Sequence, residues 1–299
     1  MKLLLLGANG QLGQELGRTL PEVGEVCACT RSEVDLTDTQ SILDTIEAFK
    51  PDIIVNAAAY TAVDKAESER ELAFCINVDA VSILANEAAK RDIWLIHYST
   101  DYVFDGKKDT AYTETDATNP INAYGSSKLA GEQAITASGC KHLIFRISWV
   151  IGKDGNNFAK TILRLASERE NLRVIVDQFG VPTSPTLISE VTADVINAIN
   201  NDKAWPSGSY HLVPKGETTW FGVAQALLRY ASNSDIVLST NASQLKAIST
   251  SEYPTVAKRP LNSRLNTDKL AQYLSFALPD WEEDFSVTAK SIIKEVKAA

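Results

Sequence analysis

Short apolar runs alternate with longer amphipathic stretches through the first half of the chain. Leu3–Leu6, Val26–Cys29, Ile53–Val55, Trp94–Tyr98 and Leu143–Ile147 have the length of strands and mostly lack a polar face. That pattern predicts strands buried on both sides. Between them, apolar positions at helical spacing predict helices near residues 11–20, 38–49, 68–91 and 122–137. Such alternation implies an α/β fold, a doubly wound parallel sheet with helices on both faces. Past about residue 150 the pattern loosens. Helices fit Asn157–Arg169, Ile188–Asn200 and the regions 219–231, 267–274 and 281–297, with strands at Arg173–Val176 and Tyr210–Val213. Seven of the ten prolines lie beyond residue 180, so this half reads as a smaller, loop-rich α/β lobe. No repeat or flexible linker divides the chain, which predicts that the two lobes pack closely.

Composition narrows the partners. A formal net charge of −9 without a Lys/Arg block argues against nucleic acid or an anionic membrane as the main partner. A small anion can still be held at a helix N-terminus. Cys27, Cys29, Cys75 and Cys140 lack metal spacing and read as buried free thiols, as expected in a reducing cytoplasm. The apolar run after Met1 is four leucines long, too short for a signal sequence or a membrane span. These features predict a soluble, cytoplasmic protein.

The first strand runs directly into Gly7-Ala8-Asn9-Gly10-Gln11-Leu12-Gly13 and then a helix. Glycines there let the backbone turn tightly and approach a pyrophosphate seated on the helix N-terminus, which makes the fold Rossmann-type. Many NAD sites place an acidic residue at the end of the second strand; this chain has Arg31, suited to a 2′-phosphate. NADPH is therefore the expected cofactor, with NADH still open. Asp35 and Leu36 follow where adenine or ribose contacts belong. After the third strand, Ala57, Ala58, Ala59, Tyr60 and Thr61 give small side chains that let ribose and nicotinamide come close.

A proton donor lies farther on. Tyr124 and Lys128 are four apart on a predicted helix and so share a face. A nearby ammonium favours phenolate, so Lys128 is expected to lower the Tyr124 pKa and to bond the nicotinamide ribose. Thr100 ends the fourth strand, at the sheet edge where such folds bind ligands, and can join Tyr124 in bonding a carbonyl oxygen. His97 reads as core packing without a role.

These motifs resemble the extended short-chain dehydrogenase/reductases, in the branch acting on nucleotide-linked sugars. The likeness runs through GANGQLG, VNAAAYTAVDKAES, HYSTDYVFDG, ETDATNPINAYGSSKLAGE, HLIFRISWV, GNNFAKT, YHLV and RPLNSRLNT. It implies Thr100, Tyr124 and Lys128 as the catalytic set, with Thr100, Asp101, Tyr102 and Trp149 against the sugar nucleotide. The implied reaction reduces the 4-keto group of dTDP-4-dehydro-L-rhamnose with NADPH, giving dTDP-L-rhamnose for cell-surface polysaccharide. Residues 1–150 then form the dinucleotide-binding domain. Residues 151–299 form mainly the substrate lobe, with some segments returning to the first.

Related dehydratases resemble this chain but follow the threonine with Asp-Glu; here Asp101-Tyr102 follows, so the elimination glutamate is missing. Another nucleotide-sugar epimerase, dehydratase or reductase remains the alternative, as does a non-catalytic NADP-binding subunit resembling that of methionine adenosyltransferase. Some relatives bridge two subunits through magnesium. Glu15 matches one ligand but Thr186 stands at another, so no metal is expected, while a homodimer by another interface stays open. Arg259, Pro260, Asn262, Ser263 and Arg264 are weaker candidates for holding the nucleotide.

Overall fold

The computed structural model describes residues 1–201 and 205–298. Its centre is a parallel sheet of six strands: β1 (Lys2–Leu6), β2 (Glu25–Cys29), β3 (Ile53–Asn56), β4 (Trp94–Thr100), β5 (Lys141–Ile147) and, much later in the chain, Gly208–His211. The order is β2-β1-β3-β4-β5 with Gly208–His211 at the far edge, so the chain reverses direction across the sheet between β1 and β3. That reversal opens a crevice at the strands' carboxyl ends.

Both faces of the sheet are buried, which is why its strands read as continuous apolar runs. Leu3, Leu5, Ile53, Val55, Ile96 and Phe145 pack on one side with Leu12 and Leu16 of α1 (Gln11–Thr19). On the same side lie Leu187, Ile188 and Val191 of the later helix Pro185–Asn200. Leu4, Leu6, Ile54, Leu95 and Ile144 face the other side, against α2 (Thr39–Phe49) and the helix Ala80–Arg91. A second core gathers Phe158–Glu168, Trp220–Ser232 and Trp281–Ala298 around a two-stranded parallel sheet of Leu172–Ile175 and Leu245–Ile248.

The predicted helix 68–91 is interrupted. Arg70–Phe74 and Ala80–Arg91 are joined by a wider turn over Cys75–Asp79. The buried Asn77 side chain there bonds the backbone N–H and carbonyl of Tyr60 and the Ser127 hydroxyl, which gives the widened turn a use. Arg70–Arg91 is also the stretch among the described residues long and apolar enough to cross a bilayer, yet Val81, Leu84, Ala85 and Ala88 lie fully inside the protein core. Of the region 267–274 only Asp268–Ala271 is helical. The strand Leu245–Ile248 escaped prediction because four residues carrying one lysine give little periodicity.

The helix Ala123–Ser138 carries the predicted Tyr124 and Lys128. Asn122 caps it through a 2.7 Å bond from Gly125 N–H, and Gly139 ends it in the left-handed conformation. Gly125 and Gly131 are forced by packing: a Cβ would stand 2.2 Å from the Tyr102 and Asn77 carbonyl oxygens respectively. Glu132 makes a buried ion pair with Arg146 at 2.6 Å, pinning the helix to β5. The helix is thus fixed on several sides, and its side chains have defined positions.

Candidate active site

A cleft of about 780 Å³ runs across the carboxyl ends of the strands. Its floor is the glycine loop. Gly7 takes φ +80°, and its N–H and that of Ala8 both donate to the Cys29 carbonyl at 3.0 Å, tying the loop to the end of β2. A Cβ on Gly7 would meet Ala58 N at 2.7 Å, and one on Gly13 would stand 1.9 Å from the Gly7 carbonyl oxygen. Gly13 does not line the cleft; it lets α1 pack against the loop. Gly10 differs, since a Cβ there would touch only the Gly7 oxygen at 3.4 Å. Protein packing does not demand that glycine, whereas a phosphate approaching the backbone would.

The first turn of α1 has no side-chain cap and no acidic residue. Its N–H groups remain available to an anion. The donors, the small residues and the cleft together fit a dinucleotide.

The other predicted cofactor residues Gln11, Leu12, Arg31, Asp35, Leu36, Ala57, Ala58, Ala59, Tyr60 and Thr61 all border this cleft. Their surroundings differ. Arg31 is exposed at the rim. Asp35 accepts from the Thr37 N–H and hydroxyl, which hold its carboxyl below the usual range. The Gln11 amide oxygen accepts from Gly152 N–H and Asn157 Nδ2, so it joins the loop to the second half of the chain. The Leu12 side chain is spent in the core.

Thr100, Asp101, Tyr102, Tyr124, Lys128 and Trp149 line the opposite end. The Tyr102 and Tyr124 rings meet edge to face, 5.8 Å between centroids. Trp149 has a positive φ of 46° and stacks on Trp220 at 3.9 Å, a residue that sequence reasoning passed over. Its ring fits because position 180 is glycine; a Cβ there would lie 2.8 Å from the indole. A non-glycine residue held in this conformation costs energy that the surrounding contacts must supply.

Asp101 is buried, with Oδ1 accepting from the Thr100 hydroxyl at 3.1 Å and Oδ2 without a hydrogen-bond partner. Burial raises its carboxyl to about 7, opposed by the nearby Ser263 and Thr100 hydroxyls. At neutral pH it can donate to or accept from a hydroxyl in the cleft.

Three expectations need correction. Lys128 was expected to lower the Tyr124 pKa, but in this structure Tyr124 is raised well above the usual range. Burial is the main cause and the Asp101 charge adds to it, while Thr100 opposes. The Lys128 Nζ is directed elsewhere, to the Tyr98 carbonyl at 2.7 Å and to His97 Nε2 at 3.0 Å. His97 is core-buried as expected, yet it is no bystander. Nothing in the sequence signals its contact with Lys128, because His97 and Thr100 are an odd number of residues apart on one strand and so face opposite sides of the sheet. The thiols differ from expectation in part: Cys29 and Cys140 are buried, but Cys27 and Cys75 are partly exposed.

Arg259 and Arg264 do not line the cleft. Arg259 pairs with Asp64 at 2.9 Å, and Arg264 with Glu217 at 2.9 Å. Asn262 donates to the Lys108 and Thr110 carbonyls, so the segment clasps the 105–112 loop. Glu15 is ion-paired with Arg18.

A doubly wound sheet, a glycine loop at its switch point and a Thr-Tyr-Lys group across one cleft define an extended short-chain dehydrogenase/reductase. The chain belongs to the RmlD substrate binding domain family, whose profile matches residues 1–294. The dTDP-4-dehydrorhamnose reductase of Escherichia coli strain K12 is 49% identical over 286 residues, covering 94% of this chain and 95% of that one. Among solved structures, the dTDP-4-dehydrorhamnose reductase of Clostridium acetobutylicum ATCC 824 superposes with a TM-score of 0.87 at 33% identity, covering 97% of this chain and 99% of that one. The Bacillus anthracis strain Ames reductase, solved in complex with NADP, gives 0.85 at 35% identity, with 96% and 98% covered.

Proposed function

We propose that this chain is an NADPH-dependent dTDP-4-dehydrorhamnose reductase, converting dTDP-4-dehydro-L-rhamnose to dTDP-L-rhamnose. The observation that carries the reading is the single cleft shared by the uncapped α1 terminus and the Thr100, Tyr124 and Lys128 side chains. Full-length likeness to reductases of that name supports the substrate. Residues 1–150 supply the cofactor half, and residues 151–299 mainly the sugar-nucleotide half. Gly208–His211 and Pro185–Asn200 return to the first. A cytoplasmic location and a homodimer without bridging magnesium belong to the same proposal; sedimentation velocity at working concentration tests the dimer.

When bound in the cleft, NADPH would supply the hydride for the carbonyl carbon. Gly7, Gly10 and the first turn of α1 would hold its pyrophosphate. Negative charge would then develop on the substrate's carbonyl oxygen, where the Tyr124 hydroxyl donates, joined by the Thr100 hydroxyl once its proton turns from Asp101 to the substrate. Tyr124 gives that oxygen its proton. The phenol is protonated at neutral pH, as any tyrosine is, and burial strengthens its hold on the proton. Lys128 borders the cleft with its Nζ held by the Tyr98 carbonyl and His97, and its remaining N–H would bond the nicotinamide ribose when the cofactor is bound. Asp101, Tyr102 and the Trp149–Trp220 stack bound the sugar.

Arg31 is assigned to the 2′-phosphate. Arg31→Ala is expected to weaken NADPH about 10–100-fold, the worth of one charge-assisted contact, and to leave NADH nearly unchanged. Equal losses for the two cofactors, measured by fluorescence titration, would make Arg31 an ordinary surface residue.

A further inference from the structure

The hydrogen bonds behind Lys128 have a fixed direction. Asn56, buried at the end of β3, accepts the Ala58 backbone N–H on Oδ1 at 3.2 Å. A backbone N–H can only donate, so the other end of the amide, Nδ2, faces His97 Nδ1, also at 3.2 Å. An amide nitrogen likewise only donates, and Nδ1 must accept. His97 is fully buried and neutral, its pKa held far below the usual range by burial and by Lys128. The one ring proton therefore sits on Nε2, 3.0 Å from Lys128 Nζ. A donor aimed at an ammonium is repelled, whereas aimed at a neutral amine it finds a lone pair. The amine can still donate to the Tyr98 carbonyl at 2.7 Å.

We infer that Asn56 and His97 are positioning residues whose fixed hydrogen-bond polarity loosens the hold of Lys128 on its proton, so that it gains and loses that proton within the working pH range. The role in turnover rests on the reductase reading; the polarity of the bonds does not. The other charged groups around Lys128 are few. Glu132, one helical turn away, favours the ammonium, but it is engaged by Arg146 through three hydrogen bonds. Tyr124 on the same helix is a neutral phenol, and Asp101 lies across the cleft. Burial works in the same direction as His97 and brings Lys128 down to about 8. Reduction takes up one proton per turnover, because hydride and proton together convert ketone to alcohol. A lysine that exchanges its proton near neutrality suits that demand.

The protein has only three histidines, which makes the test direct. Nitrogen-15 NMR of histidine-labelled wild-type protein, with His97→Gln to assign the ring, should show His97 as the Nε2–H tautomer. It should not titrate between about pH 6 and 9, as befits a buried neutral ring. Asn56→Asp replaces the fixed donor by an acceptor, flips His97 to the Nδ1–H tautomer and presents a lone pair to Lys128. The alkaline limb of the kcat/KM profile should then move up by about one pH unit or more. If that variant does not fold, Asn56→Ala should still let both tautomers appear. An Nδ1–H tautomer in the wild type would overturn the inference, as would a flipped ring with an unmoved alkaline limb. Absence of any turnover with an Nε2–H ring would instead overturn the reductase reading and the role in turnover, leaving the bond polarity intact.

Discussion

Tyr124→Phe is expected to lower kcat by about 10²–10⁴-fold, the range for loss of a general acid, while NADPH still binds. That range corresponds to roughly 3–5 kcal/mol of transition-state stabilisation. The substitution removes one oxygen and keeps the ring, so the edge-to-face contact with Tyr102 survives and the helix stays in place. Thr100 would remain as a donor to the carbonyl oxygen, which is why activity should fall rather than vanish. Single-turnover kinetics separates the chemical step from binding. Near-normal turnover would remove Tyr124 from the proton path and direct attention to Asp101, the other buried acid in the cleft.

Gly13→Ala should be the most damaging small change in the cofactor half. Its Cβ, on α1, would stand 1.9 Å from the Gly7 carbonyl oxygen, in the loop that α1 packs against. Relief requires α1 to move off the loop, at a cost near or above the usual overpacking range of about 1–3 kcal/mol. Melting should fall by about 5 °C or more, and NADPH should protect the variant far less than the wild type. Gly10→Ala provides the contrast. Its Cβ meets only one protein atom at 3.4 Å, so stability should hold while cofactor affinity drops. If Gly10→Ala bound NADPH normally, the pyrophosphate would not sit on that backbone.

Much of this was legible in the sequence for a physical reason. A parallel sheet buried on both faces writes itself as apolar runs, so the first five strands and their order in the chain could be read directly. Glycine spacing marked the loop because only glycine fits against Ala58 and the Gly7 oxygen. Tyr124 and Lys128 were visible as neighbours on one helix face. What the spacing could not carry was the direction of the lysine, since an i,i+4 pair fixes a face and not a hydrogen-bond partner. His97 and Asn56 come from two different strands, β4 and β3, and meet only through sheet register, in which they are direct partners. Asn77 was hidden for a related reason, since its turn breaks an otherwise regular helical pattern. Trp149 was expected at the substrate end, but its partner Trp220 lies seventy-one residues on and signals nothing by sequence.

The central claim is that this cleft reduces a nucleotide-linked 4-keto sugar at the expense of NADPH. The most direct measurement is the fall in NADPH absorbance on mixing purified protein with dTDP-4-dehydro-L-rhamnose, alongside keto sugars carrying other bases. Stoichiometric oxidation of NADPH with formation of dTDP-L-rhamnose is the predicted result. Binding of NADPH without its oxidation by any of these sugars would contradict the account and leave a non-catalytic nucleotide-binding protein.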